Sequence, residues 1–256
     1  MITTNNKQNE NIQNLKTDLK IDELKQKLEE QYWWKNLQKL IFPPVCGICG
    51  KLNENYLCCK CNLDLQRAAY FQVDSYLTEN GFKRKHFEEH IYFFQYQGLI
   101  RNQIINYKFN EEAYKYKAIS SFILKNFILK DSKAFQTIND YDVIVPVPIS
   151  QKRLKERGYN QSELVAKEIA KCLNKSLNTK SLYKCKDIIA QSKLNKEERE
   201  ANIKNVYAIK NEHEIRGRKV LLFDDIYTTG STANECCRIL EEGGAAKIGV
   251  MTIAKD

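Results

Sequence analysis

The chain has 256 residues, 43% of them hydrophobic and 29% charged, which supplies a real core for one large domain or two small ones and excludes a disordered polypeptide. The 41 Lys+Arg against 32 Asp+Glu leave a formal charge of +9 spread along the chain, so most of it reads as solvated surface and not as a polybasic tail. The longest apolar runs are strand-sized and fall short of the roughly 20 residues of a membrane span, and the N-terminus lacks the charged and apolar regions of a secretory signal, which places the protein in the cytoplasm.

Residues 1–40 read as a polar and helical extension. The first 13 are disordered by composition, and Leu15, Leu19, Leu24, Leu28, Trp33, Trp34, Leu37 and Leu40 recur at roughly helical spacing until Pro43-Pro44 ends the run. Residues 41–66 follow as a cysteine knuckle, and 67–256 as the main domain. Five of the nine cysteines lie in the knuckle, and Cys46, Cys49, Cys58 and Cys61 form two C-x-x-C pairs eight residues apart. A lone C-x-x-C also suits a redox dithiol. The second pair so close behind the first favours a tetrahedral structural Zn²⁺ site instead, closed to catalysis, in a compartment where disulfides are disfavoured. Cys59 is an odd neighbour, while Cys172, Cys185, Cys236 and Cys237 default to small core residues.

Residues 90–96 (HIYFFQY) form an aromatic strand, and 98–109 and 111–129 have helical apolar spacing. Tyr92, Phe93, Phe94 and Tyr96 are expected in the core, although aromatics beside basic residues could also stack on single-stranded DNA. From residue 142 the pattern is β-α-β: strand 142–147, helix 160–173, strand 219–223, helix 231–242 and strand 247–253. Continuous apolar strands alternating with helices predict an α/β fold with a Rossmann-type parallel sheet covered on both faces, whose ligands bind beyond the carboxyl ends of the strands.

Two segments occupy those ends. After Val220–Phe223 come Asp224 and Asp225, then Thr228, Thr229, Gly230, Ser231 and Thr232 at the opening of a helix. Backbone N–H groups and four hydroxyls make a cup for a terminal phosphate, while the two acids suit a ribose diol or a Mg²⁺ ion bridging it to a pyrophosphate. After Val147, the basic run with Lys152, Arg153 and Arg157 offers guanidinium forks and an ammonium to pyrophosphate oxygens, with Gly158 turning the chain and Asn160 or Ser162 capping the next helix.

VLLFDDIYTTGST resembles the phosphoribosyl-pyrophosphate signature of type I phosphoribosyltransferases, with Asp224 and Asp225 on the ribose hydroxyls and Thr228–Thr232 on the 5′-phosphate. Purine-salvage members usually start that loop with an Asp where this chain has Thr228. Val145-Pro-Val-Pro148, Arg153, Arg157-Gly-Tyr-Asn-Gln-Ser-Glu-Leu164 and the Gln191…Leu194…Glu198-Arg199…Asn202-Ile203…Tyr207 stretch are similar to the ComF/GntX family, whose pattern includes the four-cysteine knuckle. The resemblance covers roughly 40–256. It implies a protein that binds phosphoribosyl pyrophosphate or a related sugar phosphate and works with DNA-uptake proteins in natural competence, or an active phosphoribosyltransferase with a non-purine acceptor. The family's Arg-Thr before Gln191 is absent. Lys184, Lys186 and Lys193 stand in for its mobile basic loop, which favours binding over catalysis.

Overall fold

The structure is a computed structural model that describes residues 16, 18–27, 45–53, 55–76, 85–109, 113–186 and 205–256. The readings made on residues 1–15, on Leu28 to Pro44 and on Gln191 to Ile203 lie outside these. Of the extension, 18–27 is helical, with Ile21 and Leu24 buried; Leu19, expected on the inner face, is 61% exposed.

Eight strands and seven helices are named here. They run α1 (Cys59–Ala68), β1 (Ala69–Ser75), β2 (Glu89–Gln95), α2 (Gly98–Phe109), α3 (Lys115–Ile123), α4 (Ser132–Asn139), β3 (Val143–Pro146), α5 (Gln151–Arg157), α6 (Gln161–Leu173), β4 (Ser176–Leu177), β5 (Leu182–Lys184), β6 (Tyr207–Ile209), β7 (Lys219–Tyr227), α7 (Ser231–Glu242) and β8 (Lys247–Lys255). The helical run expected over 111–129 is broken, because α3 passes into a π-turn at Leu124–Ile128.

The main sheet has the order β1-β2-β8-β7-β3-β4. All neighbours are parallel except β1 and β2, an antiparallel pair at one edge. A two-stranded antiparallel sheet of β5 and β6 lies apart from it. Val220, Leu221, Leu222 and Phe223 at the centre of β7 are wholly buried, as strands covered on both faces require, each contributing roughly 1.5–3 kcal/mol.

One face packs with α2, α3 and α6 through Ile104, Phe122, Val165, Ile169, Leu221 and Phe223. The other packs with α7 through Leu222, Val250, Cys236, Cys237 and Leu240. The cysteine segment joins the first of these cores, since Cys46, Ile48, Cys61 and Leu65 belong to it. Tyr92, Phe93 and Phe94 are interior, and Tyr96 packs against the same core. That closes the rings of Tyr92, Phe93 and Phe94 to stacking on nucleic acid. Cys172, Cys236 and Cys237 are buried as expected, whereas Cys185 is exposed, with its thiol against the Val206 carbonyl at 3.1 Å.

Candidate functional site

The parallel register brings the two sequence segments together. Pro146 of β3 pairs with Phe223 of β7, and the Val147 N–H donates to the Phe223 carbonyl at 2.8 Å, so the loop after β3 opens where β7 reaches its two acids.

β7 continues past the apolar run. Asp224 and Asp225 are strand residues, with Asp224 paired to Thr252 of β8, and are not part of a loop. Each has its own partners. The Ser162 hydroxyl at the start of α6 and the Asp225 N–H both donate to Asp224 Oδ1, at 3.0 and 2.9 Å. Asp225 is 6% exposed and pairs with Lys108 of α2, Nζ to Oδ2 2.8 Å. Burial first, and the neighbouring Asp225 charge second, push the Asp224 carboxyl up to about 7, although Lys108, the Asp225 N–H and Ser162 pull the other way.

The loop after β7 is shaped by Gly230 at the start of α7. Its φ of 74° is left-handed, and a Cβ there would lie 2.1 Å from the Tyr227 hydroxyl. Tyr227 lies against the buried His90, ring centres 4.3 Å apart and planes tilted by 31°, and Lys85 donates to its hydroxyl at 3.0 Å, so an aromatic floor underlies the loop. Thr228 and Thr229 are exposed, Ser231 and Thr232 half-buried, and the Thr229 and Ser231 hydroxyls lie 2.9 Å apart.

On the facing side the basic run forms the short helix α5, capped by Ser150, whose hydroxyl accepts from the Arg153 N–H, and closed by Gly158 with φ 75°. Lys152 and Arg153 are exposed and Arg157 half-buried. Burial and the nearby Arg153 charge lower Arg157 from its ordinary value, while Asp225 acts in the opposite sense, which sets Arg157 near both. Of the two cap candidates, Asn160 does the capping. Its side chain accepts from the Ser162 N–H and donates to the Val147 carbonyl at 3.0 Å, leaving the Ser162 hydroxyl for Asp224. Lys184 stands over the Tyr207 ring, Nζ 5.7 Å from its centre, and Tyr207 contacts Thr232.

The four cysteine sulfurs at 46, 49, 58 and 61 lie within 4.8 Å of one another. A tetrahedral zinc with bonds of about 2.3 Å would space its sulfurs roughly 3.8 Å apart, and Cys49 and Cys58 are at 3.9 Å. Burial works to raise the Cys46 thiol, but the N–H groups of Cys58, Cys49 and Ile48 outweigh it and bring it down to about 6. Burial and the three neighbouring thiols push Cys61 up. Cys59 is exposed and outside the cluster.

Residues 160–256 match the family model described as phosphoribosyl transferase domain. Relatives include competence protein F of Haemophilus influenzae, 30% identical over 50% of this chain and 56% of that protein. DNA utilization protein YhgH of Escherichia coli strain K12 is 32% identical over 44% of this chain and 49% of its own length. Competence protein ComFC of Bacillus subtilis is 27% identical over 88% of this chain and 83% of its own. This chain carries a phosphoribosyltransferase fold and is similar to these competence and DNA-utilization proteins. It spans about half the length of the first two relatives.

In this site, Lys108 is the residue that motif reading passes over. In the sequence it is one lysine among many, because its partner Asp225 is remote and no spacing rule joins α2 to β7. The only local cue is its neighbour Tyr107, an aromatic at the inner end of a helix.

Proposed function

We propose that the chain binds phosphoribosyl pyrophosphate, or a closely related sugar phosphate, together with Mg²⁺, and that it does so as part of DNA uptake during natural competence. One observation carries the ligand: β7, which bears the acid pair and leads into a threonine-rich helix start, pairs in parallel with β3, which leads into a basic helix with two arginines. Asp224 and Asp225 would take the ribose hydroxyls and the cation, Thr228 to Thr232 the 5′-phosphate, and Lys152, Arg153 and Arg157 the pyrophosphate. Carboxylate oxygens are the hard donors Mg²⁺ prefers, and the ion would shield pyrophosphate charge when bound.

Cys46, Cys49, Cys58 and Cys61 would hold a structural Zn²⁺, within a knuckle over 41–66 that follows the extension 1–40 and precedes the phosphoribosyltransferase-like domain 67–256. The biological role rests on the names of the relatives, two competence proteins and one for DNA utilization. It makes single-stranded DNA and DNA-uptake proteins the partners, met in the cytoplasm. No helix among the described residues is long and apolar enough to cross a membrane.

Calorimetric titration with phosphoribosyl pyrophosphate in Mg²⁺ tests the site. The double variant Asp224→Asn, Asp225→Asn is expected to weaken binding by about 3 kcal/mol or more, the scale of losing hydrogen bonds to charged groups. Wild-type affinity in the double variant would refute the assignment.

A further inference from the structure

We propose that the Lys108 ammonium and a divalent cation are alternative partners of the Asp225 carboxylate, so that Lys108 sets how tightly the acid pair accepts a cation. This rests on the reading of Asp224 and Asp225 as a cation-facing pair. The two carboxylates are not equally provided for. Asp224 Oδ1 is met by neutral donors, the Ser162 hydroxyl and a backbone N–H. Asp225 is met by a full positive charge at 2.8 Å, with its own side chain 8% and the lysine 24% exposed. An ammonium and a dication repel each other, and each needs the same carboxylate oxygens, so one must withdraw for the other to bind.

Lys108 is also held in place to compete. The neighbouring Tyr107 is fully buried, and its hydroxyl donates to the Gln161 carbonyl at 2.9 Å. The Tyr159 hydroxyl donates to the Tyr107 carbonyl at 2.6 Å, and the two rings stack 5.8 Å apart. The last turn of α2 is thereby tied to the start of α6, the same turn that supplies Ser162. A lysine on a loose segment would be swept aside by any ligand. Here the backbone stays put and only the flexible lysine stem moves, so the ammonium remains a standing competitor.

The test uses the full chain and Mn²⁺ alone, with free ion counted by electron paramagnetic resonance. Lys108→Met is expected to bind Mn²⁺ at least about fivefold more tightly than wild type, whereas Lys108→Arg, which keeps a cation in place, stays within about twofold. A second readout needs no variant: acetylation of Lys108 in the wild-type protein, followed by mass spectrometry, should quicken when Mn²⁺ frees the amine. Unchanged or weaker Mn²⁺ binding in Lys108→Met overturns the inference, as does an acetylation rate indifferent to Mn²⁺. Failure of every form to bind Mn²⁺ overturns it too, while sugar-phosphate binding is decided separately by the calorimetry above. Loss of that binding with the Mn²⁺ results intact would overturn the function and leave the competition standing.

Discussion

The Ser162 hydroxyl donates to Asp224 at 3.0 Å, joining the first turn of α6 to the end of β7 across 62 positions of sequence. This bond is one of the few that favour the charged form of a carboxylate otherwise pushed toward neutrality, and it ties the acidity of the site to a helix start.

Asp224 imposes a pH dependence whose sign is fixed. Its carboxyl stands at about 7 in the folded protein, against about 3.9 in an unfolded chain. A carboxyl raised by folding contributes stability that is fully present below the unfolded value and lost as pH climbs through the folded one. Asp224→Asn is therefore expected to match wild type near pH 4 and to exceed it by about 1–2 kcal/mol at pH 8, a figure discounted because water reaches this half-buried group. Urea unfolding across that pH range checks it; equal stability at pH 8 would count against the raised carboxyl.

Two glycines with the same sign of φ should respond differently to alanine. At Gly158, φ 75°, a Cβ meets nothing within 4 Å, so Gly158→Ala is expected to cost about 1–2 kcal/mol of backbone strain. At Gly230, φ 74°, the Cβ would run into the Tyr227 ring, and the loss should exceed that of Gly158→Ala by about 1–3 kcal/mol, the range for overpacking. Phosphoribosyl pyrophosphate affinity should fall with Gly230→Ala and stay close to wild type with Gly158→Ala. Denaturant midpoints and calorimetry on the pair read both effects.

Metal analysis of the purified protein should find about one zinc per chain. Cys46→Ser with Cys49→Ser is expected to abolish it and to lower the thermal midpoint by about 6–12 °C, as a loss of roughly 3 kcal/mol would in a protein of this size. Full zinc content in the double variant would place the ion elsewhere.

Much of the site could be read from the chain because its determinants are local. The helix expected over 231–242 has those bounds, and the strand expected from 219 begins there, since an apolar run followed by a glycine-marked helix start is contiguous in sequence. The end of that strand was less accessible. β7 carries Asp224 and Asp225 because pairing with β8 continues to Tyr227 opposite Lys255, and polar strand residues of that kind leave no apolar signature. The antiparallel pairing of β1 escaped for a related reason: its alternation of half-buried and exposed residues is weak, and partnership with β2 is a tertiary fact. Lys108 and the π-turn at Leu124–Ile128 have no sequence pattern, and the exposed Cys185 shows that a default assignment by residue type fails at the end of a short strand.

The shared core beneath the cysteine cluster changes what the metal would govern. Ile48 and Leu65 belong to the same apolar body as Ile104 and Phe223, so a change at the cysteines acts on the packing of the main domain as well. A ligand that binds only the native form raises the stability of everything that unfolds with its site. Zinc supply would then act as a gauge on the quantity of folded protein, and a chelator would deplete sugar-phosphate binding without touching a single residue on β7.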